Sequence, residues 1–190
     1  MSALENHPEA RDRLLRSLRE EALVIGEVVL TSGATAQYLI DAKRAILLRE
    51  GFMALGELVA AQAQEWGATA VGGMTMGADP IACAALAGGA DVKGFFVRKE
   101  VKDHGLARRI EGPLLASGDR CMLVEDVVTT GGSTIRALEA VRAEGHEIVG
   151  VVAICDRLAG GGDAIREAAQ APYLALTTID DVYPDRPDRA

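Results

Sequence analysis

"CMLVEDVVTTGGSTIRAL", Cys121 to Leu138, joins an unbroken apolar run to a pair of carboxylates, a turn of threonines and glycines, and an amphipathic start. The apolar run, Cys121-Met122-Leu123-Val124, has the character of a parallel strand covered on both faces. The Thr-Thr-Gly-Gly turn then leads into a helix predicted over Ser133 to Glu144. Working outward, the same alternation recurs in both directions. Upstream, "ATAVGG" reads as a buried strand, "ADPIACAALA" as a helix with Pro80 near its first turn, and "VKGFFVRKE" as a second strand. Downstream, "HEIVGVVAICD" and "PYLALTTI" read as strands on either side of the helix "GGDAIREAAQ".

Before this core, Leu14, Leu15 and Leu18 recur at helical spacing among charges, which predicts an amphipathic helix from Pro8 to about Leu23. "GEVVLTSG" and "QYLIDAK" are predicted as two short strands around a turn at Ser32-Gly33, followed by a helix over roughly Met53 to Trp66. Apolar strands alternating with helices predict a doubly wound, mostly parallel α/β sheet, in which ligands bind at the carboxyl ends of the strands. The opening stretch falls at such an end.

Composition narrows the class. The chain has 190 residues, 49% of them apolar, enough for one globular domain with a sizeable core. No apolar run is long enough to cross a bilayer and "MSALENHPEARDR" is not a secretory leader, so no membrane is expected and the cytoplasm is the predicted location. A formal charge of -8 argues against nucleic acid as a partner, because tracking phosphates needs a basic face. Cys83, Cys121 and Cys155 show no metal spacing and are read as reduced, mostly buried small residues. His7 and His146 are expected to face solvent, Trp66 to pack, and the tail "YPDRPDRA" to fray.

The turn carries recognisable chemistry. Gly131 and Gly132 let main-chain N–H groups approach an anion, and hydroxyls of Thr129, Thr130, Ser133 and Thr134 add donors at a helix start, with Ser133 or Thr134 as its cap. Phosphate would repel Glu125 and Asp126, so these suit sugar hydroxyls or a hydrated Mg²⁺ on the same ligand. A solvated strand-to-helix turn fits the same residues. The turn is neither a Walker A loop nor a GxGxxG fingerprint.

Two apolar residues, an acidic pair and "VVTTGGS" resemble the 5-phosphoribosyl-1-pyrophosphate (PRPP) signature of the type I phosphoribosyltransferases. The resemblance implies that Glu125 and Asp126 hold the ribose hydroxyls. It gives Val127 and Val128 with Thr129, Thr130, Gly131, Gly132 and Ser133 as the PRPP loop around the 5-phosphate. It also implies a single domain over residues 1–190, with residues 1–45 as an N-terminal hood and residues 98–112 as a mobile lid.

The basic stretch "FFVRKEVKDHG" sharpens the match. Arg98, Lys99, Lys102 and His104 place four cationic or titratable groups within seven residues of an acidic chain, suited to a lid that stabilises a departing pyrophosphate. Arg-Lys-x-x-Lys-Asp-His-Gly is similar to the lid of the orotate phosphoribosyltransferases, and "TSGATAQYLID", "IEGPL" and "AICDRLAGG" agree in order and spacing from about Gly26 to Gly162. That family implies transfer of a 5-phosphoribosyl group from PRPP to orotate in pyrimidine synthesis. Lys102, His104 and Lys99 would be catalytic, Thr129 and Arg157 would contact orotate, and Mg²⁺ would be held mainly through PRPP, near Asp126. It further implies a homodimer whose lid residues are shared across the interface. A guanidinium at Arg157 suits the carboxylate of orotate, although an Asp156–Arg157 surface pair fits the same dipeptide.

The chain departs from the family pattern in three places: Thr31 stands where many members have lysine, Leu39 and Ile40 where they have aromatics, and the 72–80 loop has no lysine. That loop reads equally as a site for pyrophosphate or as a plain strand-to-helix turn. The chain ends soon after its last strand, so a following decarboxylation is expected of another protein. The rival readings are a purine phosphoribosyltransferase and a non-catalytic PRPP-binding regulator.

Overall fold

The computed structural model describes residues 3–29, 35–100 and 109–189. The N-terminal segment forms α1 (Ala3–Asn6), α2 (Pro8–Ser17) and a turn of π-helix (Leu18–Ala22), then β1 (Leu23–Val29) paired antiparallel with β2 (Thr35–Ile40). Pro8 at the first turn of α2 has no amide to lose there, and Ala10 and Leu14 supply its buried stripe. α3 (Ala42–Ile46) and α4 (Arg49–Glu65) lead into the main sheet.

That sheet contains β3 (Ala70–Met74), β4 (Lys93–Val97), β5 (Ile110–Glu111), β6 (Arg120–Val128), β7 (Glu147–Asp156) and β8 (Tyr173–Thr178). Its order is β5-β4-β3-β6-β7-β8, parallel except for β5, which runs antiparallel to β4. α5 (Asp79–Ala87) follows β3, α6 (Gly132–Ala143) follows β6, α7 (Gly161–Ala169) follows β7, and α8 (Ile179–Val182) follows β8.

Alternation within β6 shows why its Cys121–Val124 run is apolar throughout. Met122 and Val124 enter the core shared with α2, α3, α4 and α5, whereas Cys121 and Leu123 enter the core shared with α6 and α7. Each fully buried large apolar side chain contributes about 1.5–3 kcal/mol, so both layers contribute to holding the sheet. Trp66 closes one end by lying on Gly150, where a Cβ would come within 2.3 Å of the indole.

The amino ends of three neighbouring strands are clipped together by Asp119. Its carboxylate accepts from Lys93 Nζ at 2.7 Å, the Ala116 amide at 2.6 Å and the Thr69 hydroxyl at 2.8 Å. Lys93, then the Ala116 N–H and Thr69, hold this carboxyl down at about 2. The opposite, carboxyl ends are left for function. β3 leads to β4 on one side while β6 lies on the other, so the chain diverges between β3 and β6 and opens a crevice there.

Several expectations change. Cys83 is exposed, because it lies on the outer face of α5; Cys121 and Cys155 are buried. His7 is half-buried and paired with Glu57 at 3.0 Å, and His146 is half-buried with a buried Nδ1. The tail, expected to fray, packs back on the fold over its described residues, 183–189. Thr178 and Asp181 form a reciprocal cap for α8, and beyond it Arg186 pairs with Asp180 and Asp188. No helix among the described residues is long and apolar enough to cross a membrane.

Candidate functional site

Four loops converge at the carboxyl end of the sheet. The strands place them: Thr75 N donates to Val97 O, and Arg157 N donates to Val128 O, both at 2.9 Å. The loop after β3, the start of the lid after β4, the acidic turn after β6 and the corner after β7 are thereby neighbours.

The turn after β6 is built on Gly131, whose φ of +79° lies in the left-handed region open to glycine. A Cβ there would also meet Gly161 O and Ile165 at 2.9 Å, so α7 packs directly against the turn. Gly131 itself is the N-cap of α6, which no side chain caps. The expected cap is therefore corrected: the Thr134 hydroxyl donates instead to Glu125 Oε2 at 2.9 Å. The first-turn amides stay free to meet an anion. Glu125, Val127, Val128, Thr129, Thr130, Gly131, Gly132, Ser133 and Thr134 enclose a cavity of about 150 Å³ with Thr129 and Thr130 exposed at its mouth.

The two carboxylates differ in setting. Glu125 is 5% exposed, and burial, reinforced by the neighbouring Asp126 charge, pushes its carboxyl up to about 7. Asp126 accepts from the Val127 amide at 2.8 Å through Oδ1 and from Lys43 Nζ at 3.0 Å through Oδ2. Lys43 also meets Asp41 at 2.9 Å. Burial pulls the ammonium down, but Asp41 and Asp126 outweigh it and hold Lys43 above its usual range. Lys43 was not among the residues singled out from the sequence; no local motif marks it, since its partner lies 83 residues away.

The loop after β3 presses on the same acid. A Cβ on Gly77 would fall 2.6 Å from Asp126 Oδ1, so only glycine permits this approach. Thr75 donates to Asp79 Oδ1 at 3.2 Å, and burial raises the Asp79 carboxyl. At the root of the segment expected as a lid, Arg98 pairs with Glu111 at 3.3 Å, Arg109 donates to the carbonyls of Arg98 and Lys99, and Lys99 is exposed. Lys102 and His104 lie outside the described residues, as do Thr31, Ser32 and Gly33.

The corner after β7 places Arg157 one ladder rung from Thr129. Asp156 does not form the surface pair that its position suggests: it accepts from Tyr173 at 2.8 Å and from the Leu158 amide at 2.7 Å. Arg157 Nη2 instead donates to the Tyr38 hydroxyl at 3.1 Å, with its guanidinium 5.1 Å above the Tyr38 ring. The N-terminal segment thus lies over the base of the crevice. A larger hollow of about 580 Å³ sits at the opposite rim, around His7, Glu57 and Asp91, and holds none of these residues.

Comparison with known proteins agrees with this arrangement. Residues 52–168 match the model of the phosphoribosyl transferase domain. The chain is 44% identical over 183 residues to an orotate phosphoribosyltransferase of Corynebacterium glutamicum, covering 96% of this chain and 98% of that protein. Among solved structures, the Mycobacterium tuberculosis orotate phosphoribosyltransferase in complex with Fe(III) dicitrate is 36% identical with a TM-score of 0.81, covering 92% of this chain and 99% of the other. The same mycobacterial enzyme in complex with PRPP is 34% identical with a TM-score of 0.77, covering 91% and 98%.

Proposed function

Since this chain belongs to the orotate phosphoribosyltransferases of the phosphoribosyltransferase family, we propose that it transfers the 5-phosphoribosyl group of PRPP to orotate. The products are orotidine 5'-monophosphate and pyrophosphate, in pyrimidine nucleotide synthesis. The observation that carries this reading is the adjacency, at one sheet end, of the 129–133 turn, the buried Glu125 with the half-buried Asp126, and Arg157.

The 5-phosphate sits against the free amides of α6 and the hydroxyls of Thr129, Thr130 and Ser133, which are in place before the ligand arrives. Glu125 and Asp126 accept from the ribose hydroxyls and fix the sugar over the crevice. Arg157 and Thr129 hold orotate with its ring nitrogen facing the anomeric carbon. As that nitrogen gives up its proton to the departing pyrophosphate and bonds to the carbon, the bond to pyrophosphate breaks and negative charge moves onto the leaving oxygens. Arg98, Lys99, Lys102 and His104 receive that charge as the lid excludes water, and the loop 75–79 flanks the same space.

No cluster of three or more His, Cys, Asp or Glu gathers among the described residues to hold a metal alone. The carboxylates near the crevice, Asp126 and Asp79, offer hard oxygen donors, which fits a Mg²⁺ that takes most of its ligands from PRPP and water. Such an ion would neutralise part of the diphosphate charge.

The reading includes a homodimer that shares lid residues between its sites. Leu47, Leu48 and Met53 are exposed around the α3–α4 corner, and Met76 is exposed in the loop after β3. Such apolar surface suits a second copy, and sedimentation velocity measures it directly. Activity is tested by mixing the protein with PRPP, Mg²⁺ and orotate and following orotate absorbance, with hypoxanthine, guanine and uracil in parallel. Loss of absorbance with orotate alone is expected; turnover of a purine instead would reject the assignment.

A further inference from the structure

The C-terminal segment after α8 folds back onto the corner that carries Arg157. Tyr38, 4% exposed, is held from three sides: Tyr183 meets its ring edge-on at 5.4 Å, Arg157 stacks on its face, and Asp188 accepts its hydroxyl proton at 3.0 Å. Arg157 Nη2 donates to the same phenolic oxygen at 3.1 Å, so the carboxylate acts on the guanidinium through the phenol. Asp188 is held in turn by Arg186 Nε at 3.2 Å, and Arg186 also pairs with Asp180 at the start of α8. An unattached tail would leave arginine in water. Here the Arg186 side chain is only 12% exposed, and the Arg189 guanidinium closes the turn on Pro184 O at 2.7 Å.

We propose that residues 184–189 form a strap that positions the base-binding arginine: Asp188 fixes the Tyr38 hydroxyl, and Tyr38 presents Arg157 to orotate. The proposal rests on the assignment of orotate to Arg157. A stacked guanidinium with one N–H committed to the phenol keeps its remaining donors in a fixed fork. A fork already oriented loses less freedom when it meets a carboxylate, so the strap lowers the cost of binding the base while leaving the chemical step alone. Asp188 therefore acts on KM for orotate and not on turnover.

Steady-state kinetics on Arg157→Ala, Asp188→Ala and Asp188→Asn separate the two claims, with thermal melting of each variant to confirm folding. Arg157→Ala is expected to raise KM for orotate by about 10- to 100-fold, the loss of a charged hydrogen-bonding partner. Asp188→Ala is expected to raise it by about 3- to 10-fold, the loss of one net hydrogen bond, with kcat and KM for PRPP within twofold. Asp188→Asn keeps an oxygen acceptor for the phenol and is expected to restore most of the difference. An unchanged orotate KM in Asp188→Ala beside an impaired Arg157→Ala overturns the strap. Equal impairment of the Asn and Ala variants, or a fall in kcat alone, overturns it too. An unchanged orotate KM in Arg157→Ala overturns the base assignment itself.

Discussion

Lys43 joins the N-terminal segment to the acidic end of β6, and its loss takes from Asp126, 15% exposed, the cation it pairs with among the described residues. Removing one member of a partly buried charged pair costs about 1.5–3 kcal/mol. Lys43→Ala should therefore raise KM for PRPP by about 10- to 100-fold, and Lys43→Arg should recover much of it. A Lys43→Ala enzyme with unaltered PRPP kinetics would remove this lysine from the site. The proposed lid is expected to contribute differently. Lys102→Ala should lower kcat by about 100-fold or more while PRPP affinity changes far less, the pattern of an interaction formed mainly in the transition state. Binding measured by calorimetry, beside single-turnover rates, reads the two effects apart. Glu125, Asp126 and the 129–133 turn were legible because adjacent residues make them a motif. Lys43, Tyr38 and Asp188 were not, because each acts on a partner more than 80 residues away.

At the scale of elements, β6 and α6 followed from apolar continuity and helical periodicity, and the observed bounds differ from expectation by a few residues at the ends. The five residues of α3 and the two of β5 were missed, because neither is long enough to show a period. β5 exists because residues leaving the lid find the open edge of β4, where Phe96 and Val97 pair with Glu111 and Ile110. The expected frayed tail failed for a related reason. Proline and charge suggested solvent, but Asp180, Asp188 and Arg186 satisfy one another against the fold. Packing between elements also allows a test. In β7, Gly150→Ala must displace the Trp66 ring, and overpacking of this kind costs about 1–3 kcal/mol. Its melting temperature should fall by about 2–10 °C, with KM for both substrates unchanged because Gly150 lies toward the amino end of its strand. A variant as stable as the parent would show that Trp66 moves aside freely.

Across the whole molecule, the stabilising clip and the proposed site occupy opposite ends of one sheet. Asp119 ties β3, β4 and β6 at their amino ends, while the anion turn and Arg157 stand at the carboxyl ends. The folded Asp119 carboxyl lies at about 2, below its ordinary 3.8. Its contribution is complete above the ordinary value and disappears as pH falls through the folded one. Asp119→Asn should melt about 3–10 °C below the parent at pH 7, and the gap should narrow between pH 4 and pH 2. A gap that stays constant with pH would mean that the charge does not carry the clip. Catalytic constants should be unaffected, since the clip stands at the far rim of the sheet.

By itself the sequence determined the alternation of strands and helices, and it marked the glycine turn with its acidic pair and the basic 98–104 stretch as the candidate site. Each of these is encoded by residues close together in the chain, where period and turn chemistry act. The tertiary structure alone decided which cation answers Asp126, how Arg157 is aimed, and that β2 and the segment after α8 meet at Arg157. Those contacts join residues from distant parts of the chain, and only packing of the layers brings them within hydrogen-bonding reach.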